Sequence, residues 1–162
     1  MALVEYTKAM SEERFLAIYQ GLEAQGYGPM DQHVAQSLRF RLPAIRRIPM
    51  EKRATRAKRM LSSSVTMAEL AYELFGSYLM KHKKELITGF LDATGVPHEE
   101  GMIEDTSGAL PAEDKIEATV ASLDAEHGAD DVTLYLGLCV QMWPESETVA
   151  RLWQERAGLA TT

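Results

Sequence analysis

From Met67 to Leu91 the apolar residues recur three and four apart: Leu70, Ala71, Leu74, Phe75, Tyr78 and Leu79, then in phase Leu86, Ile87, Phe90 and Leu91. That spacing gathers them on one face of an α-helix, whereas a strand would send neighbours to opposite faces. Both ends are marked. Thr66 and Glu69 have capping-box spacing, with Val65 and Leu70 placed as a hydrophobic staple. At the other end Gly95 suits a left-handed cap, Val96 can contact Leu91, and Pro97 blocks continuation. Unbroken, a helix over 66–94 would run about 43 Å at 1.5 Å per residue. A domain of this size rarely holds that length, so the polar run Lys81–Lys84 is where a bend is expected.

The same period governs the rest of the chain. Ser11 precedes Glu12 and Glu13, and Phe15, Ile18, Tyr19 and Leu22 follow as one stripe until Gly26, with Met10 and Phe15 placed as a staple. Met30, Val34 and Leu38 carry a short helix to about Phe40, after which Leu42, preceding Pro43, is expected in an extended connector. Pro49 opens a helix over 49–61. Ile116, Val120 and Leu123 mark a helix stopped by Gly128, and Val149, Leu152 and Trp153 another stopped by Gly158. Residues 132–142 fit both periods: Val132, Leu134, Leu136, Leu138, Val140 and Met142 alternate, yet Val132, Tyr135, Leu136, Cys139 and Trp143 share a helical face. No second segment offers a strand partner, so a lone strand would strand its own backbone groups, and a helix buried on most sides is the better reading. The expected architecture is all-α, a single-domain bundle of about seven short to medium helices spanning 1–162. The glycine-, proline- and acid-rich loop 97–111 is the place for a sub-boundary.

At 46% hydrophobic and 25% charged, the 162 residues are too apolar for disorder and long enough for a packed core. No apolar run approaches the roughly 20 residues a membrane span needs. Residues 1–11 lack the basic start and apolar stretch of a signal peptide, and the lone Cys139 has no internal partner. A cytoplasmic protein is the expectation.

Charge is distributed unevenly. Up to Lys84 the chain carries 14 Lys and Arg against 8 Asp and Glu; beyond it, 3 against 16. Between Arg39 and Arg59, nine of 21 residues are Lys or Arg and only Glu51 is acidic. With Met50, Ala54, Ala57 and Leu61 turned inward, Lys52, Arg53, Arg56 and Arg59 are expected on the opposite arc. These four, with Arg46 and Arg47, are the candidate contacts for an anion or a partner. A basic face can neutralise phosphates, which makes a nucleic-acid accessory role the alternative. The whole chain is acidic, however, at a formal charge of −7, and would repel a polyanion at longer range. The helix following Ser62–Ser64 also offers Glu69 and Glu73 where base-reading residues are needed. A face that meets acidic protein surface, in the same chain or its mate, is the plainer account.

Nothing in the sequence dictates a chemistry. His33, His82, His98 and His127 form no i, i+4 pair and have no cysteine nearby, so no zinc site is expected. His82 falls in phase with an apolar stripe, as a core or bend histidine does. His98, Glu99, Glu100, Glu104 and Asp105 fail the calcium-loop pattern and read as a solvated acidic loop. Gly26 and Gly28 follow a helix and lack the third glycine of a dinucleotide fingerprint. Cys139 reads as core, and Trp143 and Trp153 as packing anchors. The expected function is therefore a non-enzymatic helical interaction or scaffold module, self-associating or bound to a protein partner, with no cofactor, no metal and no membrane.

Overall fold

The computed structural model describes residues 3–24, 29–103 and 108–159. These form ten α-helices and no strand: α1 (Leu3–Ala9), α2 (Glu12–Glu23), α3 (Pro29–Leu38), α4 (Leu42–Ile45), α5 (Met50–Leu61), α6 (Ala68–His82), α7 (Lys84–Thr94), α8 (Glu113–His127), α9 (Ala129–Met142) and α10 (Glu147–Leu159). Packing divides the chain into two compact units, one reaching to Leu74 and the other starting at Phe75, with the division inside α6.

In the first unit α5 is the shared element, packing against α1, α2 and α3. Its inward residues Ala54, Ala57 and Leu61 are buried, and the two alanines bring its backbone close to its neighbours. Helix α2 presents Phe15, Ile18, Tyr19 and Leu22, all buried, and Ser11 caps it by accepting from the Arg14 amide at 3.1 Å. Met10 and Phe15 are both buried, as a staple requires. Two local expectations fail here. Leu42 does not extend the connector; it begins the single-turn α4, because a proline in the first turn needs no amide hydrogen bond. Helix α6 does not start from a Thr66–Glu69 box. Ser64 instead caps a short 3-10 turn over Val65–Met67 and accepts from the Thr66 amide at 3.2 Å, while Val65 is left exposed rather than stapled to Leu70.

The second unit packs α8, α9 and α10 on one another and α7 on α8. The bend expected after Lys81 lies at Lys83, whose ψ of 36° separates α6 from α7. Lys83 then pairs with the buried Asp131 at 3.0 Å, in the first turn of α9 where a carboxylate is favoured. Gly95 closes α7 at φ 76°, and the Val96 amide donates to Leu91 O at 2.9 Å, as the cap pattern requires. Residues 132–142 are helical, and every side chain from Asp131 to Cys139 is buried, which explains why the strand period matched as well as the helical one. Phe90 stacks on Trp143 and meets Tyr135 edge-on, and the Trp143 indole donates to Ala109 O at 2.9 Å. Trp153 is buried too, so both tryptophans are packing anchors. Gly158 lies within α10 and does not stop it. Gly26, Gly28, Glu104 and Asp105 lie outside the described residues.

Candidate functional site: the basic face of α5

Helix α5 starts after Pro49 and turns its residues to three environments. The inward one holds a charge that sequence reasoning put outside. Arg53 is buried: its Nε donates to Ile48 O at 2.9 Å, and its two terminal nitrogens grip both oxygens of Glu23 on α2. Asp31 on α3 stands 3.7 Å from the same guanidinium and accepts from the Tyr19 hydroxyl at 2.7 Å. Arg53 therefore leaves the candidate surface and becomes a clamp joining α2, α3 and α5. The reason is angular. At 100° per residue Arg53 lies about 60° from Met50, on the flank of the buried stripe, and a guanidinium is buried when a planar carboxylate matches its fork. Burial first, and then the bond to Asp31, push the Tyr19 phenol well above its usual range, so it remains a donor.

The second environment is the side towards α2. Lys58 donates to Glu12 at 2.9 Å and Thr55 donates to the other oxygen of that carboxylate at 3.3 Å. The Lys58 hydrogen bond, with further help from its charge, holds Glu12 below the ordinary carboxylate range. A depression at this edge is lined by Lys8, Glu12, Thr55, Lys58, Arg59, Ser62 and Ser63. Sequence reasoning missed this group because Lys8 rides on α1, a helix whose seven residues carry too little periodicity to be read.

The third environment faces outward. Lys52, Arg56 and Arg59 line a shallow depression with Glu51 and Thr55. Among the described residues of this unit, no carboxylate forms an ion pair with any of the three. Arg46 and Arg47 are exposed on the segment before α5 and line neither depression. The structure thus brings together Lys52, Arg56 and Arg59 and separates Arg53, Arg46 and Arg47 from them.

Elsewhere the ionisable groups serve structure. His98 accepts the Gly101 amide on Nδ1 at 3.0 Å and meets Asp92 through Nε2 at 2.8 Å, which orients the ring with both nitrogens engaged. His82 sits at the α6–α7 bend against Tyr78, exposed rather than in the core. Burial pushes the Cys139 thiol up and keeps it protonated. Among the described residues no cluster of His, Cys, Asp and Glu is arranged to hold a metal ion, and no helix is long and apolar enough to cross a membrane. Comparison with protein-family models, curated proteins and solved structures finds no match to this chain, so its role is read from its own residues.

Proposed function

We propose that this chain is a non-enzymatic helical interaction module that self-associates, docking the outward arc of α5 on the acidic second unit of another copy. The observation that carries the reading is the outward trio Lys52, Arg56 and Arg59, three cations over two turns that form no ion pair among the described residues of their unit, although the charge of Arg59 is also felt at Glu12. Complementary charge supports it: residues up to 74 hold 11 Lys and Arg against 8 Asp and Glu, and residues from 75 hold 6 against 16. Interfaces use such complementarity to choose partner and register. The one cysteine, buried and unbonded, suits a reducing cytoplasm.

The test is sedimentation velocity across a salt series, comparing the wild type with Lys52→Glu/Arg56→Glu. Arg53 is left alone because reversing it would break the clamp. Association that weakens with salt and falls in the double reversal supports the reading. A wild type that stays monomeric at low salt refutes it. Fluorescence anisotropy with single-stranded and duplex nucleic acid covers the alternative: log affinity falling by roughly 0.7 to 0.9 per log salt for each phosphate, abolished by the same reversal, would make the arc a phosphate-binding surface instead.

A further inference from the structure

The depression beside Glu12 is separate from the outward arc, sharing only Thr55 and Arg59 with it, and its chemistry is more specific. Three cations line it, Lys8, Lys58 and Arg59, against the single carboxylate of Glu12. That carboxylate shows how the site handles an anion: one oxygen takes Lys58 Nζ at 2.9 Å and the other takes the Thr55 hydroxyl at 3.3 Å. One further feature opposes an anion, since α5 ends here and its last carbonyls form the negative pole of the helix, worth roughly half a charge. The serines blunt it. Ser62 Oγ donates to Lys58 O at 2.6 Å and Ser63 Oγ donates to Met60 O at 2.6 Å, covering two of those carbonyls. Three positive charges against one carboxylate and a half-charge pole leave a clear surplus, more than a monoanion uses.

We propose that this depression binds a phosphate monoester dianion, and that Glu12 is the resident carboxylate the phosphate displaces. Lys8, Lys58 and Arg59 supply charge-assisted donors and Thr55 a neutral one; the serine protons are already committed to carbonyls. The dianion is favoured over a carboxylate because it carries twice the charge and three acceptor oxygens. The proposal does not rest on self-association, and its two diagnostic variants are made at Lys58 and Glu12.

Inorganic phosphate, titrated into the full-length protein at low salt and followed by amide NMR shifts, is the direct probe. Saturable shifts at Lys8, Thr55 and Lys58–Ser63 are expected, with half-saturation near about 1 mM or below. Lys58→Gln should weaken binding roughly tenfold, the value of one charge-assisted contact. Glu12→Gln should tighten it, because the competing anion is gone while the fold keeps its hydrogen-bonding shape. Affinity for glycerol phosphate should rise as pH passes its second ionisation near about 6, and affinity for inorganic phosphate should rise roughly one unit higher. Glycerol phosphate and a phosphoserine peptide, each beside its unphosphorylated form, distinguish a small metabolite from a modified protein as the source. Shifts that grow linearly without saturating, an unchanged affinity in Lys58→Gln, or weaker binding in Glu12→Gln would each overturn the assignment. In about 0.15 M salt, where the Debye length is about 8 Å, Lys52→Gln, outside this depression, should weaken phosphate binding less than Lys58→Gln does; an equal loss there would mean diffuse surface attraction and no site.

Discussion

Replacing Arg53 with Ala is the sharpest test of the clamp. The Arg53 side chain is 8% exposed, Asp31 6% and Glu23 24%, so removing the guanidinium leaves one carboxylate buried and one half-covered, with the Ile48 carbonyl unpaired. Removing one partner of a buried pair costs about 3–5 kcal/mol. Water reaches Glu23 more easily than Asp31, and Asp31 keeps the Tyr19 hydroxyl, so the expected loss lies at the lower end, about 3 kcal/mol. Arg53→Lys should recover little of it, because an ammonium cannot bind Glu23 through two parallel bonds and reach Ile48 as well. Native-state amide exchange is the right assay, since it reads α2, α3 and α5 directly and does not require both units to unfold in a single transition. Protection in those three helices should fall together by the stated amount. A fall below about 1 kcal/mol, the value of an exposed ion pair, would refute the argument that burial makes Arg53 a structural clamp.

Tyr19→Phe should cost about 1 kcal/mol at neutral pH through the lost hydrogen bond to Asp31. Its pH dependence is more informative. Because burial and Asp31 raise the folded phenol, the unfolded chain releases that proton first once pH passes about 10. The contribution is whole below that range and is lost as pH rises beyond it, so the gap between wild type and Tyr19→Phe should narrow in alkali; a constant gap would contradict the buried donor. Ser11→Ala should lower the urea midpoint by about 1 kcal/mol of stability while Thr66→Ala changes it by less than about half of that, since Ser11 caps a helix and Thr66 does not. Phe40→Ala should weaken self-association in sedimentation by an amount that persists at high salt, with the monomer's circular dichroism unchanged.

The fold class was legible because helix periodicity is local: the apolar spacing of α6 and α7, the Lys83 break and the Gly95 cap all depend on residues within a few turns of one another. Helix α9 was legible by elimination only, because nine consecutive buried side chains erase the polar phase that separates helix from strand. The site was half legible. The outward trio followed from the helical angle, but the fate of Arg53 depends on Glu23, 30 residues away, and on Asp31, and such distances carry no sequence period. Ser64 displaced Thr66 as the cap although only Thr66 has a glutamate three residues on, because the chain enters through a 3-10 turn whose backbone angles the capping-box pattern does not encode.

Local pairing does not erase the charge asymmetry; it sharpens it. In the second unit, four of the six cations are already held: Lys83 by Asp131, Lys84 by Glu100, Arg151 by Glu117 and Glu155, and Arg156 by Asp124. What remains there is acidic, while what remains on α5 is basic. Yet exposed pairs contribute only about 0.2–1 kcal/mol each, so three new ones supply about 3 kcal/mol at most, short of the roughly 4 kcal/mol that even a millimolar complex represents. Charge alone can orient such an association but cannot hold it. The proposed association therefore requires an apolar contribution as well, and Phe40, 53% exposed and within the basic stretch, is the large ring this unit offers for it. Covering the 53% still exposed contributes about half of the 1.5–3 kcal/mol of full burial, roughly 0.8–1.6 kcal/mol, which brings the three pairs at their best to the millimolar range. The association should therefore keep an attraction that salt does not remove, with the salt-sensitive part tracing to Lys52, Arg56 and Arg59 and the remainder to Phe40.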